Sequence, residues 1–170
     1  MFVLGIDPGL SRCGYGAVRR DRGANRAVAC GVIRTDPAAA LPQRLAALDA
    51  ELRVLLADLA PDVVVVERVF FQTNVRTAMS VGQASGLALA AAAGAGCEVV
   101  QYTANEVKQA VAGYGAATKE QVQRMVQTLL QLPVVPRPAD AADALALALC
   151  HLAVAPVLGR VAAADAGAGR

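Results

Sequence analysis

Four consecutive β-branched residues, Val63-Val-Val-Val66, constrain the fold of this chain more than any other segment. A run that is apolar at every position, rather than at alternate ones, belongs to a strand buried on both faces. Such a strand needs a layer of helices above and below it. The flanking sequence offers both. Leu41, Leu45, Leu48, Leu52, Leu55, Leu56 and Leu59 fall on one helical stripe that stops before Pro61. A second helix is expected from about Asn74 to Ala93, followed by a short strand over Glu98–Gln101.

Upstream, Phe2–Asp7, Gly14–Arg20 and Ala27–Thr35 read as three strands, the last two joined by a polar loop, Asp21–Asn25. Short connections make them an antiparallel meander. Downstream, Thr103-Ala-Asn-Glu106 and Thr118-Lys-Glu-Gln121 each fit a capping box and should each open a helix. Pro133, Pro136 and Pro138 form a stiff connector to a last helix, Ala139 to Val154, apolar nearly all round. The pattern is one α/β or α+β domain with a mixed sheet over residues 1–157, followed by a loose Ala/Gly-rich tail over 158–170.

Composition excludes several classes. Hydrophobic residues are 56% and charged residues 18%, so the chain is no disordered polyelectrolyte. A net charge of +2 is too small to mark a nucleic-acid binder without knowing where the charges lie. The uncharged stretch Thr77–Cys97 mimics a membrane span, but it carries Ser80, Gln83, Ser85 and four glycines and has no aromatic belt. It reads as a buried helix, and no membrane association is expected. The start of the chain lacks the basic region of a signal peptide, which points to the cytoplasm. Cys13, Cys30, Cys97 and Cys150 are too far apart to suggest a zinc site.

The informative residues are acids in apolar surroundings. Asp7 and Glu67 each end an apolar strand, and ligands of open α/β sheets collect at the carboxyl ends of strands. Asp140 and Asp143 are spaced i, i+3, on one face of the last helix. Asp140 has a second reading as a helix N-cap. Asp143 is harder to dismiss, because no Lys or Arg occurs between Arg137 and Arg160 and a buried unpaired carboxylate is expensive. Two like charges at ~4 Å repel by about 4 kcal/mol at an effective dielectric of 20. If the four acids meet, some must be protonated or metal must bind. All-oxygen ligands favour Mg²⁺ or Mn²⁺, and two such ions roughly 3.5–4 Å apart would clamp a phosphodiester.

With these acids in place, a wider pattern is visible. Gly5-Ile-Asp7-Pro-Gly9, Gly14-Tyr-Gly16, Glu67-x-x-Phe70, Asn74, Gly82-Gln-Ala-x-Gly86, Val107-Lys-Gln and Asp140-Ala-Ala-Asp-Ala-Leu-Ala146 together resemble the RuvC family of bacterial Holliday junction resolvases. The resemblance runs in order from residue 1 to about 155. It implies a ribonuclease H-like α/β fold, a mixed five-stranded sheet with helices on both faces. It also implies a homodimer and Mg²⁺-dependent, paired, symmetric cutting of four-way DNA junctions in recombination and repair. Mn²⁺ is expected to substitute for Mg²⁺, with two ions per site. The family's catalytic acids match Asp7, Glu67, Asp140 and Asp143, and its two important lysines match Lys108 and Lys119, the only lysines in the chain. The branch-migration helicase complex of RuvA and RuvB is the further partner that the family implies.

Other residues follow from the resemblance beside blander readings. Phe70 is assigned to DNA and Phe71 to packing; Asn74 and Arg76 join Phe70 as DNA contacts. Lys108 and Lys119 point at phosphates, whereas a lone lysine is otherwise a solvated one. Ala78, Gly82, Gly86 and Ala90 recur every four residues. Such a ridge packs on its own sheet or, as the resemblance favours, against a second copy. His151 reads as structural. Two other functions compete: a lobe of an actin-like ATPase or sugar kinase, suggested by Gly-Ile-Asp-x-Gly, and a non-catalytic junction-binding protein, against which the intact acid set argues.

Overall fold

The computed structural model describes residues 1–68 and 75–168, without the side chains of Val75, Arg76 and 157–168. Five strands, β1 (Phe2–Asp7), β2 (Arg12–Asp21), β3 (Ala24–Arg34), β4 (Val63–Glu67) and β5 (Glu98–Tyr102), form one sheet in the order β3-β2-β1-β4-β5. The β1–β2 and β2–β3 pairs are antiparallel, and β1–β4 and β4–β5 are parallel. The meander and the doubly buried strand are therefore halves of one mixed sheet.

Alternation along β1 and β4 divides the core in two. Leu4, Ile6, Val64 and Val66 face one side, against Leu48, Leu52 and Leu56 of α1 (Leu41–Leu59) and Ala84, Ala88, Ala91 and Ala92 of α2 (Val75–Gly94). Val3, Val63 and Val65 face the other. There they meet Val107 and Val111 of α3 (Ala104–Ala112), Val122 and Val126 of α4 (Lys119–Leu129), and Leu145, Leu149 and Leu152 of α5 (Ala139–Ala168). Complete burial of each such Val or Leu contributes about 1.5–3 kcal/mol. The expected leucine stripe of α1 holds, except that Leu41 in its first turn is 43% exposed.

Two predicted features differ in detail. The loop at Asp21–Asn25 is a two-residue hairpin turn at Arg22 and Gly23, both with positive φ (48° and 85°). That geometry matches the twist of the flanking strands, so they extend further than their polar residues suggest. Helix α5 continues to Ala168, across most of the segment read as a loose tail; its Ala-rich composition has high intrinsic helix propensity. Over 139–156, α5 is long and apolar enough to cross a membrane, but 61% of that window is buried inside the molecule.

Helix α5 lies very close to the sheet because glycines pave its path. A Cβ at Gly5 would collide with the Ala144 carbonyl, at Gly14 with the Asp140 carbonyl, and at Gly16 with the Leu145 backbone. These glycines permit backbone-to-backbone contact. Helix α2 is buried on one face only: Ala78 is partly exposed, and Gly82, Gly86 and Ala90 are exposed. Nothing lies within 4 Å of a Cβ added at Gly82 or Gly86. The ridge therefore does not pack on its own sheet; Ala84, Ala88, Ala91 and Ala92 do that.

Candidate active site

The alternation that buries Val3 and Val65 on the α5 side also sends Asp7 and Glu67 there, since each lies an even number of residues further along its strand. The parallel register pairs Ile6 with Val66, so the next step sets Asp7 beside Glu67. Asp140 and Asp143 come from the first turns of α5, fixed by the contact at Gly14. Both capping boxes form: Thr103 accepts from the Glu106 backbone N–H and Thr118 from the Gln121 backbone N–H. The second sets Lys119 at the first position of α4. A cavity of about 370 Å³ opens among these elements, lined by Asp7, Glu67, Asp143, Lys108, Lys119 and Ala104, with Val107, Val122, Ala146 and Leu147 as its apolar floor.

The carboxylates crowd one another in a buried setting. Burial, then the negative charges of Glu67, Asp143 and Asp140, push the Asp7 carboxyl from 3.8 up to about 7, with Lys119 opposing. Burial also raises Glu67, while a hydrogen bond with Asp7 holds it down. Near neutrality Asp7 is thus about half protonated, and the hydrogen bond between the two carboxyls shares that proton. Lys119 Nζ sits 2.5 Å from Asp143 Oδ2. The pair is asymmetric: Asp143 holds Lys119 firmly cationic, whereas burial outweighs Lys119 at Asp143 and leaves that carboxyl above its ordinary value. Asp140 stands apart. It does not line the cavity, and its Oδ2 accepts from Arg12 Nε at 2.9 Å and Nη2 at 2.5 Å.

This donor set fits a hard divalent cation. Its oxygens come from four carboxylates, and burial makes the group unfavourable as four bare anions. The nearby Cys13 thiol is pushed up to about 11 by burial, which keeps it protonated at neutral pH. No three His, Cys, Asp or Glu side chains among the described residues are already spaced to hold one ion. The acids are divided instead between the Asp7–Glu67 hydrogen bond, Lys119 and Arg12.

Of the residues singled out in the sequence, Asp7, Glu67, Asp143, Lys108 and Lys119 share the cavity and Asp140 borders it. Phe70, Phe71 and Asn74 lie outside the described residues, as does the side chain of Arg76. His151 is buried, its Nδ1 3.1 Å from the Tyr102 hydroxyl, and it takes no part in the cavity. Arg12 was missed. Its partner lies 128 residues away, and no local pattern announces the pair.

Comparison with known proteins places this geometry. The family model described as crossover junction endodeoxyribonuclease RuvC matches residues 3–151. The RuvC of Salinispora arenicola is 54% identical over 165 residues, covering 96% of this chain and 94% of that one. The RuvC of Chloroflexus aggregans is 51% identical over 160 residues, covering 94% and 98%. Among solved structures, Thermus thermophilus RuvC in complex with a Holliday junction substrate superposes with a TM-score of 0.86 at 40% identity, covering 91% of this chain and 94% of that one.

Proposed function

The chain belongs to the RuvC family of crossover junction endodeoxyribonucleases, and from that premise we propose that its cavity cuts four-way DNA junctions, with Asp7, Glu67, Asp140 and Asp143 as the metal-holding catalytic acids. The observation that carries this reading is the convergence of acids from two strand ends and one helix on a single cavity. The fold is ribonuclease H-like, and the family uses divalent metal. The finer assignment is two Mg²⁺ ions per site, replaceable by Mn²⁺. When bound, they supply Lewis-acid activation of the attacking water and stabilisation of the leaving oxygen.

The protein's own groups do the rest. Asp7 gives up its proton to complete the ligand set. Lys108 and Lys119 meet the scissile strand's phosphates at the mouth of the cavity. The N-termini of α3 and α4, represented there by Ala104 and Lys119, add their dipoles toward the same negative charge. Phe70, Asn74 and Arg76 complete the DNA contacts, with Phe70 stacking on an opened base step.

The reading extends to assembly. The exposed ridge of Ala78, Gly82, Gly86 and Ala90 joins two copies about a two-fold axis, which gives two symmetric nicks. RuvA and RuvB are the further partners, the cytoplasm is the site of action, and residues 1–157 are the nuclease domain. The test is Asp143→Asn. It should bind a four-way junction within a few-fold of the unmodified protein and yield no nicked product with Mg²⁺. Normal nicking by this variant refutes the metal site, and equal cutting of junction and linear duplex reduces the protein to a general nuclease.

A further inference from the structure

Two of the four acids are already held by a cation of the protein, Asp143 by Lys119 and Asp140 by Arg12, and of these two only Asp140 lies outside the cavity lining. Arg12 places two nitrogens, Nε and Nη2, on a single carboxylate oxygen, Oδ2. We infer that Arg12 is a positioning residue that competes with the incoming divalent cation for Asp140, so that the site is completed only when metal displaces the guanidinium. This inference rests on the four-acid metal reading above.

Three features support it. First, Asp7, Glu67 and Asp143 line the cavity and Asp140 does not; the Arg12 contact coincides with the one acid that is drawn aside. Second, the competitor cannot drift off. Arg12 opens β2, and two residues on, Gly14 is pressed against the Asp140 carbonyl, so the two backbones are held together whether or not the side chains touch. Third, guanidinium does not deprotonate in proteins. The competition therefore persists at every working pH.

The displaced group also has somewhere to go. The Arg12 side chain is 43% exposed and the Asp140 side chain 27%, so the guanidinium can swing into water without a desolvation penalty. Lys119 is different, since it lines the cavity beside Asp143 and stays within reach of bound DNA. Arg12 sets how readily the metal enters, and Lys119 acts once the substrate is there.

The test is Mn²⁺ binding to DNA-free protein by titration calorimetry, comparing the unmodified chain with Arg12→Gln, Arg12→Lys, Arg34→Gln and Asp7→Asn. Arg34 is the ladder partner of Arg12, exposed, and without an ion pair to Asp140 among the described residues. It reports the effect of removing a nearby positive charge without removing the contact. Arg12→Gln should lower the Mn²⁺ dissociation constant about tenfold. Arg12→Lys keeps the charge but loses the two-nitrogen grip, and should lower it about threefold. Arg34→Gln should change it by less than about twofold. Equal or weaker binding by Arg12→Gln overturns the inference, as does an Arg34→Gln effect as large as that of Arg12→Gln. Mn²⁺ binding that is absent from the unmodified chain, or undiminished in Asp7→Asn, overturns the four-acid reading itself.

Discussion

Asp7→Asn should stabilise the metal-free protein while abolishing its activity. In the fold, the Asp7 carboxyl is raised from 3.8 to about 7, mainly by burial and then by the negative charges around it. A carboxyl raised in this way binds an extra proton in the folded state. Its favourable contribution is complete below about pH 4 and is lost as pH rises through about 7. Across that interval, 1.36 kcal/mol per pH unit gives about 4 kcal/mol. Sharing of the proton with Glu67 brings the expected figure to about 2–4 kcal/mol. Asparagine imitates the protonated form and never ionises. The variant should therefore match the unmodified protein only at or below about pH 4, pull ahead as pH rises, and exceed it by about 2–4 kcal/mol near about pH 8, or roughly 5–15 °C in Tm for a chain of this size. The assay is urea denaturation in EDTA across this pH range at one fixed protomer concentration. Adding Mn²⁺ should shrink or reverse the gap, because the cation stabilises only the form that binds it. A stability difference that is independent of pH, or an Asn variant that is less stable near pH 8, would refute the argument.

Two further outcomes follow from the geometry. Gly14→Ala forces a methyl group into the Asp140 carbonyl; it should cost about 1–3 kcal/mol in denaturation experiments and, by moving Asp140 and Asp143 together, reduce single-turnover cutting about 100-fold. Gly86→Leu has open space around it within the protomer, so the protomer should still fold and unfold cooperatively while light scattering shows monomers; a variant that remains dimeric places the two-fold contact elsewhere.

Much of this arrangement was legible because it is local. The Val63–Val66 run placed β4 and Glu67, and the two capping boxes placed α3 and α4. The acids stood out because each interrupts an apolar segment, and their grouping at one end of the sheet follows from the period-two geometry of strands. What the sequence left open depends on partners distant along the chain. Gly14 and Gly16 fit turns as readily as they fit a helix lying against them, until α5 is seen on top. The ridge of α2 was ambiguous because small residues suit any close contact, and only the emptiness beside Gly82 and Gly86 separates its outer face from its inner one. Arg12 is one arginine among many in the sequence. Its importance comes from Asp140, which no periodicity connects to it.

The glycine track under α5 has a consequence for how this site tolerates change. Asp7 and Asp143 are referenced to one another chiefly by main chain resting on main chain at Gly5, Gly14 and Gly16. The same construction leaves no slack: a single methyl group along the track cannot be absorbed by a rotamer and is transmitted whole to the carboxylates.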